Sequence, residues 1–517
     1  MLEETGTMAT SEGKAATTAG PGDTAPGAAD GQIGKAPIGR PFMGIAAGFL
    51  LFVVMLMLPA PAGMSDEAWT VAAVAVLMAA WWVTEALPLA ATAVVPLVLF
   101  PLLGVATTRE AASPYADPLI FLFLGGFVLG LGLQRWNLHR RIALTIISWV
   151  GTEPARLVGG FMLATAFLSM WVSNTATAVM MLPVALSVIA LVERDRNQDG
   201  QGAGRRNFAV SLLLAVAYGA SIGGLATLIG TPPNALLAAY MSRTYQVEIG
   251  FAQWMVVGVP LVVVMLALTW LLLTKIVFPT PAGAIKGAMS AVSGEIANLG
   301  PMTRPEKLVG TVFVVTAATW ILRPLLSDFV PGIDDTVVAM AAAVVLFLIP
   351  SGSDRGGFLM DWDTARKLPW GVLLLFGGGL SLASAISDSG LAEWLGEMLS
   401  LLSTWPVILV MLVATLAVIF LTELTSNTAT AAAFLPLVGS VAVGIGMDPF
   451  MLTVPVALAA SCAFMLPVAT PPNAIVYGSG NLTVADMAKA GLYLNLISTV
   501  LITGLTYLAV GTLFRVG

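Results

Sequence analysis

Apolar residues dominate the chain from residue 43 almost to its end, in long stretches that polar residues rarely interrupt. A helix needs about 20 such residues to cross a bilayer, and eleven stretches approach or exceed this length. They predict transmembrane helices over residues 43–60, 69–84, 87–104, 118–134, 209–240, 252–277, 308–326, 334–350, 369–387, 449–478 and 489–514. Residues 1–42 are rich in Ala, Gly, Thr and Pro and are predicted to form a disordered cytoplasmic tail.

Two further apolar stretches, residues 153–191 and 403–446, do not fit a simple membrane span. Each is long enough for two helices and carries a polar cluster in its middle, Ser173-Asn174-Thr175 in one and Ser426-Asn427-Thr428 in the other. Irregular backbone at membrane depth is tolerated only where protein buries it or where it lines a wet cavity. Each stretch is therefore predicted to form a re-entrant hairpin of two half-membrane helices that meet at a polar tip.

The composition supports a membrane protein and excludes several other classes. The 517 residues are 58% apolar and only 10% charged, against about a quarter charged in soluble domains. One Cys and one His exclude an internal disulfide and zinc sites of the Cys-cluster or HExxH type. A net charge of −6 argues against nucleic-acid binding. Transport, channel activity or an embedded enzyme remain.

The distribution of basic residues indicates the topology. With the N-terminus in the cytoplasm, 19 of the 23 Lys and Arg residues fall on cytoplasmic segments, and only Arg109, Arg243, Arg323 and Arg515 fall outside. This bias obeys the positive-inside rule only if both hairpins return to the side from which they enter. The C-terminus is then expected outside the cell, with the protein in the inner, or plasma, membrane.

The two halves of the chain share an ordered set of motifs. The paired motifs are Leu124-Gly125-Gly126-Phe127 with Phe376-Gly377-Gly378-Gly379, Ser173-Asn174-Thr175-Ala176-Thr177 with Ser426-Asn427-Thr428-Ala429-Thr430, Leu182-Pro183 with Leu435-Pro436, and Thr231-Pro232-Pro233-Asn234-Ala235 with Thr470-Pro471-Pro472-Asn473-Ala474. Similar spacings within each half indicate a duplicated unit. Because the charge count opens the first hairpin to the cytoplasm and the second to the outside, the repeats are predicted to be inverted, as in many secondary transporters.

The repeated motifs carry chemistry suited to ions. Ser-Asn-Thr offers hydroxyls, an amide and the unpaired N–H groups of a helix start, which can bind an anion, while its oxygens can face a hard cation. Thr-Pro-Pro in an apolar span breaks the helix and frees the preceding carbonyls, those of Gly230 and Ala469 above all. Alone, each motif would more often be a packing feature or a kink. Two matched copies in corresponding positions point to a transport site.

Four other polar or reactive residues lie within or beside the apolar stretches. Glu423 is interpreted as tuning a cation site, orienting the second hairpin or capping a helix, because acids inside apolar stretches are often functional. Glu85 is interpreted as an interfacial helix end, His139 as a residue of the cytoplasmic boundary, and Cys462 as a small packed side chain.

The paired Ser-Asn-Thr tips and the paired Thr-Pro-Pro breaks resemble those of the divalent anion/sodium symporter family, the carriers of carboxylates and sulfate. The resemblance covers about residues 43–517, and the stretch from Leu168 to Thr177 is close to that of bacterial dicarboxylate members. It implies a homodimer of eleven-span protomers that works as an elevator. Residues 43–134 and 308–387 would form a scaffold part, and residues 152–277 and 403–517 a transport part that moves against it.

The resemblance also implies the ligands. One Na⁺ would be held by Ser169, Ser173, Asn174 and the Gly230 carbonyl, and a second by Thr422, Ser426, Asn427 and the Ala469 carbonyl. The substrate anion would contact Asn174, Thr175, Asn427, Thr428, Thr231, Thr470 and Pro471. Animal sulfate and citrate members often depart from the second Ser-Asn-Thr, so its presence here favours C4-dicarboxylates such as succinate, malate or fumarate.

The predicted function is therefore Na⁺-coupled symport of C4-dicarboxylates, with Na⁺ as the co-transported ion. A sodium-independent dicarboxylate exchanger and a sulfate or tricarboxylate carrier of the same fold remain alternatives. An anion channel is a further alternative, although paired motifs at a closed midplane site favour alternating access. An embedded enzyme is disfavoured, because the single His lies at the membrane boundary and leaves no nucleophile and base pair.

Overall fold

The computed structural model describes residues 39–194, 202–281, 283, 285, 288–352, 356–398 and 404–513, and the regular structure of these residues is helical. The first helices are α1 (Gly39–Met57), α2 (Asp66–Thr84), α3 (Leu89–Ala93), α4 (Val95–Leu102), α5 (Thr108–Ala112) and α6 (Pro118–Arg135). They are followed by α7 (Leu138–Ser148), α8 (Pro154–Ser169), α9 (Asn174–Arg194), α10 (Gly202–Gly224), α11 (Pro232–Tyr245), α12 (Phe251–Leu271) and α13 (Ala288–Leu299).

The second half begins with α14 (Arg304–Leu326), α15 (Asp335–Leu348), α16 (Trp362–Ala365) and α17 (Trp370–Asp388). It continues with α18 (Leu391–Met398), α19 (Val407–Thr422), α20 (Asn427–Gly444), α21 (Phe450–Ala460), α22 (Pro471–Tyr477) and α23 (Val484–Leu513). A 3-10 turn, Ser113–Ala116, precedes α6, and a π-helical turn, Leu272–Val277, extends α12.

Helix starts follow the local chemistry of the chain. Capping boxes formed by Thr107 with Glu110 and by Thr303 with Glu306 begin α5 and α14, each satisfying two backbone N–H groups. Pro118 and Pro154 occupy the first positions of α6 and α8, where the missing N–H costs nothing.

The duplication predicted from the motifs appears as a repeated order of helices. The helices α6 to α12 match α17 to α23 in sequence order, and the first hairpin arms α8 and α19 each contain 16 residues. The second arms are longer than the predicted half-membrane helices, with 21 residues in α9 and 18 in α20. The arms of each hairpin are therefore unequal, and α8 packs mainly along α10 while α19 packs along α21 and α23.

The Thr-Pro-Pro motifs interrupt helices as predicted. The apolar stretch 209–240 is divided into α10 and α11, and the stretch 449–478 into α21 and α22. In both cases Thr is the N-cap and the two prolines are the first helical residues, a position where a missing N–H is harmless. The segments 225–231 and 461–470 thus carry non-helical backbone, and most of their residues are buried or partly buried.

Two sequence predictions need correction. The stretch 87–104 was expected to be one span, but it is broken at Val94 into α3 and α4, because Pro96 cannot donate an N–H to a continuous helix. The predicted tail 1–42 ends too late, since α1 begins at Gly39; residues 1–38 lie outside the described residues.

The number of membrane spans depends on how broken helices are counted. By length and composition, nine helical segments of the described ranges qualify: Asp66–Thr84, Thr108–Arg135, Asn174–Val192, Ala203–Gly224, Phe251–Val277, Arg304–Leu326, Trp370–Asp388, Asn427–Gly444 and Val484–Ala509. Six shorter apolar helices of 10–17 residues accompany them. The eleven membrane spans stay a prediction, because length and composition do not show which helices cross the bilayer.

The paired Gly motifs permit close helix crossings. A Cβ at Gly125 on α6 would lie 2.6 Å from the backbone of Ala339 on α15, and one at Gly378 on α17 would lie 2.2 Å from the Ala93 carbonyl oxygen. No side chain fits at such distances. In both halves a glycine therefore allows its helix to pack directly against the backbone of a neighbouring helix.

The structure describes the surroundings of three residues outside the repeated motifs, while their placement relative to the membrane stays a prediction. Glu85 is an exposed residue that ends α2 in the left-handed conformation. Cys462 is fully buried. His139 lies at the start of α7, is 8% exposed, and its Nδ1 is 3.0 Å from the Leu133 carbonyl oxygen.

Candidate functional site

A first cluster of oxygen atoms lies where α8 ends and α9 begins. The fully buried Ser169 hydroxyl is 2.7 Å from Asn174 Oδ1 and 2.7 Å from the Ala220 carbonyl oxygen, so one proton faces two acceptors. A Cβ at Gly224 would lie 3.0 Å from Asn174 Oδ1 and 3.0 Å from the Gly230 carbonyl oxygen. The absence of a side chain at Gly224 thus leaves a small space bordered by these two oxygens, with Asn174 Nδ2 at 3.3 Å. The two oxygens are of the kind that binds hard cations.

A second cluster repeats this geometry at the junction of α19 and α20. The fully buried Thr422 hydroxyl lies 3.0 Å from Asn427 Oδ1 and 2.8 Å from the Ala460 carbonyl oxygen. Ala469, the counterpart of Gly230, is 6% exposed and directly precedes the N-cap Thr470 of α22. A hydroxyl, an amide oxygen and a backbone carbonyl therefore meet in each half of the molecule.

The serines and threonines of the two tips are less symmetric. Ser173 Oγ accepts a hydrogen bond of 3.3 Å from the Ala176 N–H, whereas Ser426 makes no capping bond with its side chain. Thr175 is exposed, and Thr428 is only 9% exposed. In this conformation the two threonines predicted to contact the anion thus differ in their access to solvent.

The two halves meet crosswise at the broken helices. Helix α9 packs against α22, and α20 packs against α11. The hydroxyls of Thr231 and Ser461 are 3.2 Å apart and join the two breaks directly. Thr470 Oγ1 accepts a hydrogen bond of 3.3 Å from the Asn473 N–H, and Pro471 is exposed at the start of α22. The fold therefore brings both hairpin junctions and both breaks into one contiguous region.

Two asparagines to which the motif analysis gave no role hold the breaks in shape. Asn234 Nδ2 donates to the carbonyls of Gly224, Leu225 and Thr227 at 2.9–3.3 Å. Asn473 Nδ2 donates to the carbonyls of Ala463 and Leu466 at 3.2 and 3.0 Å. Both side chains are fully buried, so each amide replaces N–H partners that the interrupted helices lack.

The alanine carbonyls of the clusters were also missed, although the sequence contains a signal. Extending the second repeated motif backwards shows Ala220-Ser221 eleven residues before Thr231, and Ala460-Ser461 ten residues before Thr470. These are the alanines whose carbonyls face the Ser169 and Thr422 hydroxyls.

The donor set of the clusters is neutral oxygen. Within the described ranges, His, Cys, Asp and Glu form no group of three that could hold a metal ion. Hydroxyl, amide and carbonyl oxygens are the ligands of hard cations and do not select transition metals. The arrangement suits an alkali cation that must bind and leave again as cargo.

Comparisons with known proteins agree with this architecture. Similar proteins include the sodium-dependent dicarboxylate transporter SdcS of Staphylococcus saprophyticus, 44% identical over 472 residues, which span 90% of this chain and 91% of that relative. The protein of the same name from Staphylococcus aureus strain bovine RF122 is 43% identical over 473 residues, with 90% of each chain covered.

Solved structures with a similar fold are more distant in sequence. The YdaH transporter of Alcanivorax borkumensis matches 91% of this chain and 98% of its own, with a TM-score of 0.57 and 15% identity. MtrF of Neisseria gonorrhoeae, described within a class of antimetabolite efflux pumps, matches 92% and 95% with a TM-score of 0.54 and 11% identity. At these identities the likeness concerns the fold alone.

The family model described as the sodium:sulfate symporter transmembrane region matches residues 41–514. With this match over nearly all of the chain, the many apolar helices and the paired oxygen clusters, the protein belongs to the sodium:sulfate symporter family of integral membrane proteins.

Proposed function

We propose that this protein is a secondary transporter that carries C4-dicarboxylates such as succinate, malate or fumarate into the cell together with Na⁺. The observation that carries the proposal is the pair of matched oxygen clusters, each built from a hydroxyl, an Asn amide oxygen and a backbone carbonyl. The relatives named sodium-dependent dicarboxylate transporters support both Na⁺ and the dicarboxylate class.

The two clusters would bind the cations, and the anion would bind between them. Ser169, Ser173, Asn174 and the Gly230 carbonyl would hold one Na⁺. Thr422, Ser426, Asn427 and the Ala469 carbonyl would hold the other. The anion would contact the first residues of α9 and α20 together with Thr231, Thr470 and Pro471, where helix N-termini offer unpaired N–H groups. Bound Na⁺ would supply the positive charge that these neutral donors lack.

Transport would follow an elevator motion. The transport part, residues 152–277 and 403–517, would carry both clusters past the scaffold part, residues 43–134 and 308–387. Inverted repeats favour such motion, because they give two related conformations open to opposite sides. The scaffold would remain fixed in a homodimer in the plasma membrane, with the N-terminus in the cytoplasm and the C-terminus outside.

Uptake by purified protein in proteoliposomes tests the function. We expect labelled succinate to accumulate with an inward Na⁺ gradient and to stop when choline replaces Na⁺. Malate and fumarate should compete far better than acetate, which has one carboxylate. Uptake that continues at the full rate without Na⁺ but requires internal dicarboxylate would identify the exchanger instead, and sulfate as the best competitor would identify the sulfate carrier.

A further inference from the structure

A buried carboxylate lies beside the second oxygen cluster. Glu423 is 3% exposed and directly follows Thr422. Its Oε1 accepts hydrogen bonds from the N–H groups of Phe464 and Met465 at 2.6 and 2.8 Å, and its Oε2 accepts one from Leu466 N–H at 3.0 Å. The Asn495 side chain donates a fourth bond to Oε1 at 2.8 Å. Both oxygens act as acceptors, the arrangement of a charged carboxylate.

These bonds fix the segment that carries Ala469. Phe464 is also held by the Tyr218 hydroxyl, which donates to its carbonyl at 2.8 Å. A Cβ at Gly491 would lie 2.4 Å from the same carbonyl oxygen, so α23 is in close contact with the segment. The break between α21 and α22 is therefore pinned to α10, α19 and α23, and Glu423 provides three of its backbone contacts.

The charge of Glu423 has no basic partner among the described residues: none of their Lys or Arg side chains forms a salt bridge with it. Burying a carboxylate is costly, and neutral N–H donors offset only part of that cost. A cation bound in the adjacent cluster at Thr422 and Asn427 would lower it further, because opposite charges attract strongly at low dielectric.

The first half of the molecule lacks this feature. Met170 occupies the position after Ser169 that Glu423 occupies after Thr422. There the break is held instead by the Thr227 hydroxyl, which donates to the Met170 carbonyl at 2.6 Å, and by Trp254 Nε1, which donates to Leu225 at 3.0 Å. The two oxygen clusters are built from the same kinds of oxygen atom, but only the second has a negative charge nearby.

We infer that Glu423 is a positioning residue of the second cation site, fixing the break that carries Ala469 and supplying the charge that strengthens Na⁺ binding there relative to the first site. The inference rests on the proposed Na⁺-coupled transport. It assigns unequal Na⁺ affinities to two sites whose direct ligands are nearly the same.

Uptake by proteoliposomes over a series of Na⁺ concentrations tests the inference. Glu423→Gln keeps the size of the side chain and removes its charge, and we expect the half-saturating Na⁺ concentration to rise about tenfold. At saturating Na⁺, half-saturation by succinate should stay close to that of the unaltered protein. Met170→Leu, the matched control in the first half, should leave the Na⁺ dependence unchanged.

A Glu423→Gln protein that folds and keeps the unaltered Na⁺ curve would overturn the inference. If that variant does not elute as a folded protein, equilibrium binding of labelled Na⁺ to the unaltered protein decides: two classes of site whose affinities differ about tenfold support the inference, and two equal sites overturn it. Uptake by the unaltered protein that ignores Na⁺ would instead refute the proposed function itself, so the two failures are distinguishable.

Discussion

At the scale of single residues, buried amides replace the helical hydrogen bonds that the proline breaks remove. Asn473→Leu keeps the branched shape of the side chain but leaves the Ala463 and Leu466 carbonyls without their Nδ2 donor, and we expect a loss of about 1–3 kcal/mol in stability. Thermal unfolding in detergent measures this loss. Asn481→Leu is the control, because Asn481 is exposed and bonds only locally to Ser479. Equal unfolding temperatures for the two variants would contradict the role given to Asn473.

The stability of the folded protein should depend on pH through its one histidine, His139, which is buried. Burial, aided by the charge of Arg140, lowers the pKa of His139 despite its bond to the Leu133 carbonyl. The unfolded chain therefore binds a proton at a higher pH than the folded one, so stability falls as the pH drops below about 6.5.

His139→Gln should weaken this dependence. Unfolding temperatures measured at pH 7.5 and 5.5 should differ less in the variant than in the unaltered protein. An equal drop in both would assign the acid sensitivity to other groups.

At the scale of helices, the crossing of α17 over α3 depends on one missing side chain. Gly378→Ala would place a Cβ 2.2 Å from the Ala93 carbonyl oxygen, and backbone cannot move aside as a flexible side chain can. We expect a destabilisation of about 1–3 kcal/mol, measured by thermal unfolding. Gly504→Ala on α23 is the control, since no atom lies within 4 Å of its Cβ, and it should be neutral or slightly stabilising. Equal unfolding temperatures for the two variants would show that α17 and α3 can move apart enough to admit the added methyl group.

At the scale of the whole molecule, the elevator motion requires contacts between the proposed scaffold and transport parts to break. Arg243 Nε on α11 donates to Ser384 Oγ on α17 at 2.9 Å, and the two helices belong to different parts. Cysteines at these positions on a Cys462→Ala background, joined by a short bis-thiosulfonate linker, should stop uptake until a reductant is added.

The matched control places cysteines at Arg206 and Asp486, whose salt bridge of 2.7 Å joins α10 and α23 within the transport part. Linking this pair should leave uptake intact. Full uptake with the Arg243 and Ser384 positions linked would show that the two parts need not move apart there.

Local patterns were enough to predict most helices and the position of the candidate site. The Thr-Pro-Pro breaks were predictable because proline lacks an N–H whatever surrounds it. The same rule applies to Pro96 and the break at Val94, but the unbroken apolar run from residue 87 to 104 predicts one continuous span there. The unequal hairpin arms were not predicted, because an apolar stretch does not show where its helix ends.

The sequence by itself determined the membrane class, the duplication and the residue types of both clusters, since apolar content, repeated motifs and proline chemistry are local properties. Only the tertiary structure decided which groups meet there. Glu423 finds its partners 41 to 43 and 72 residues away, and Thr231 meets Ser461 across 230 residues. Such contacts arise from the packing of distant helices, so the pinned break and the asymmetry between the two clusters became visible only in the folded chain.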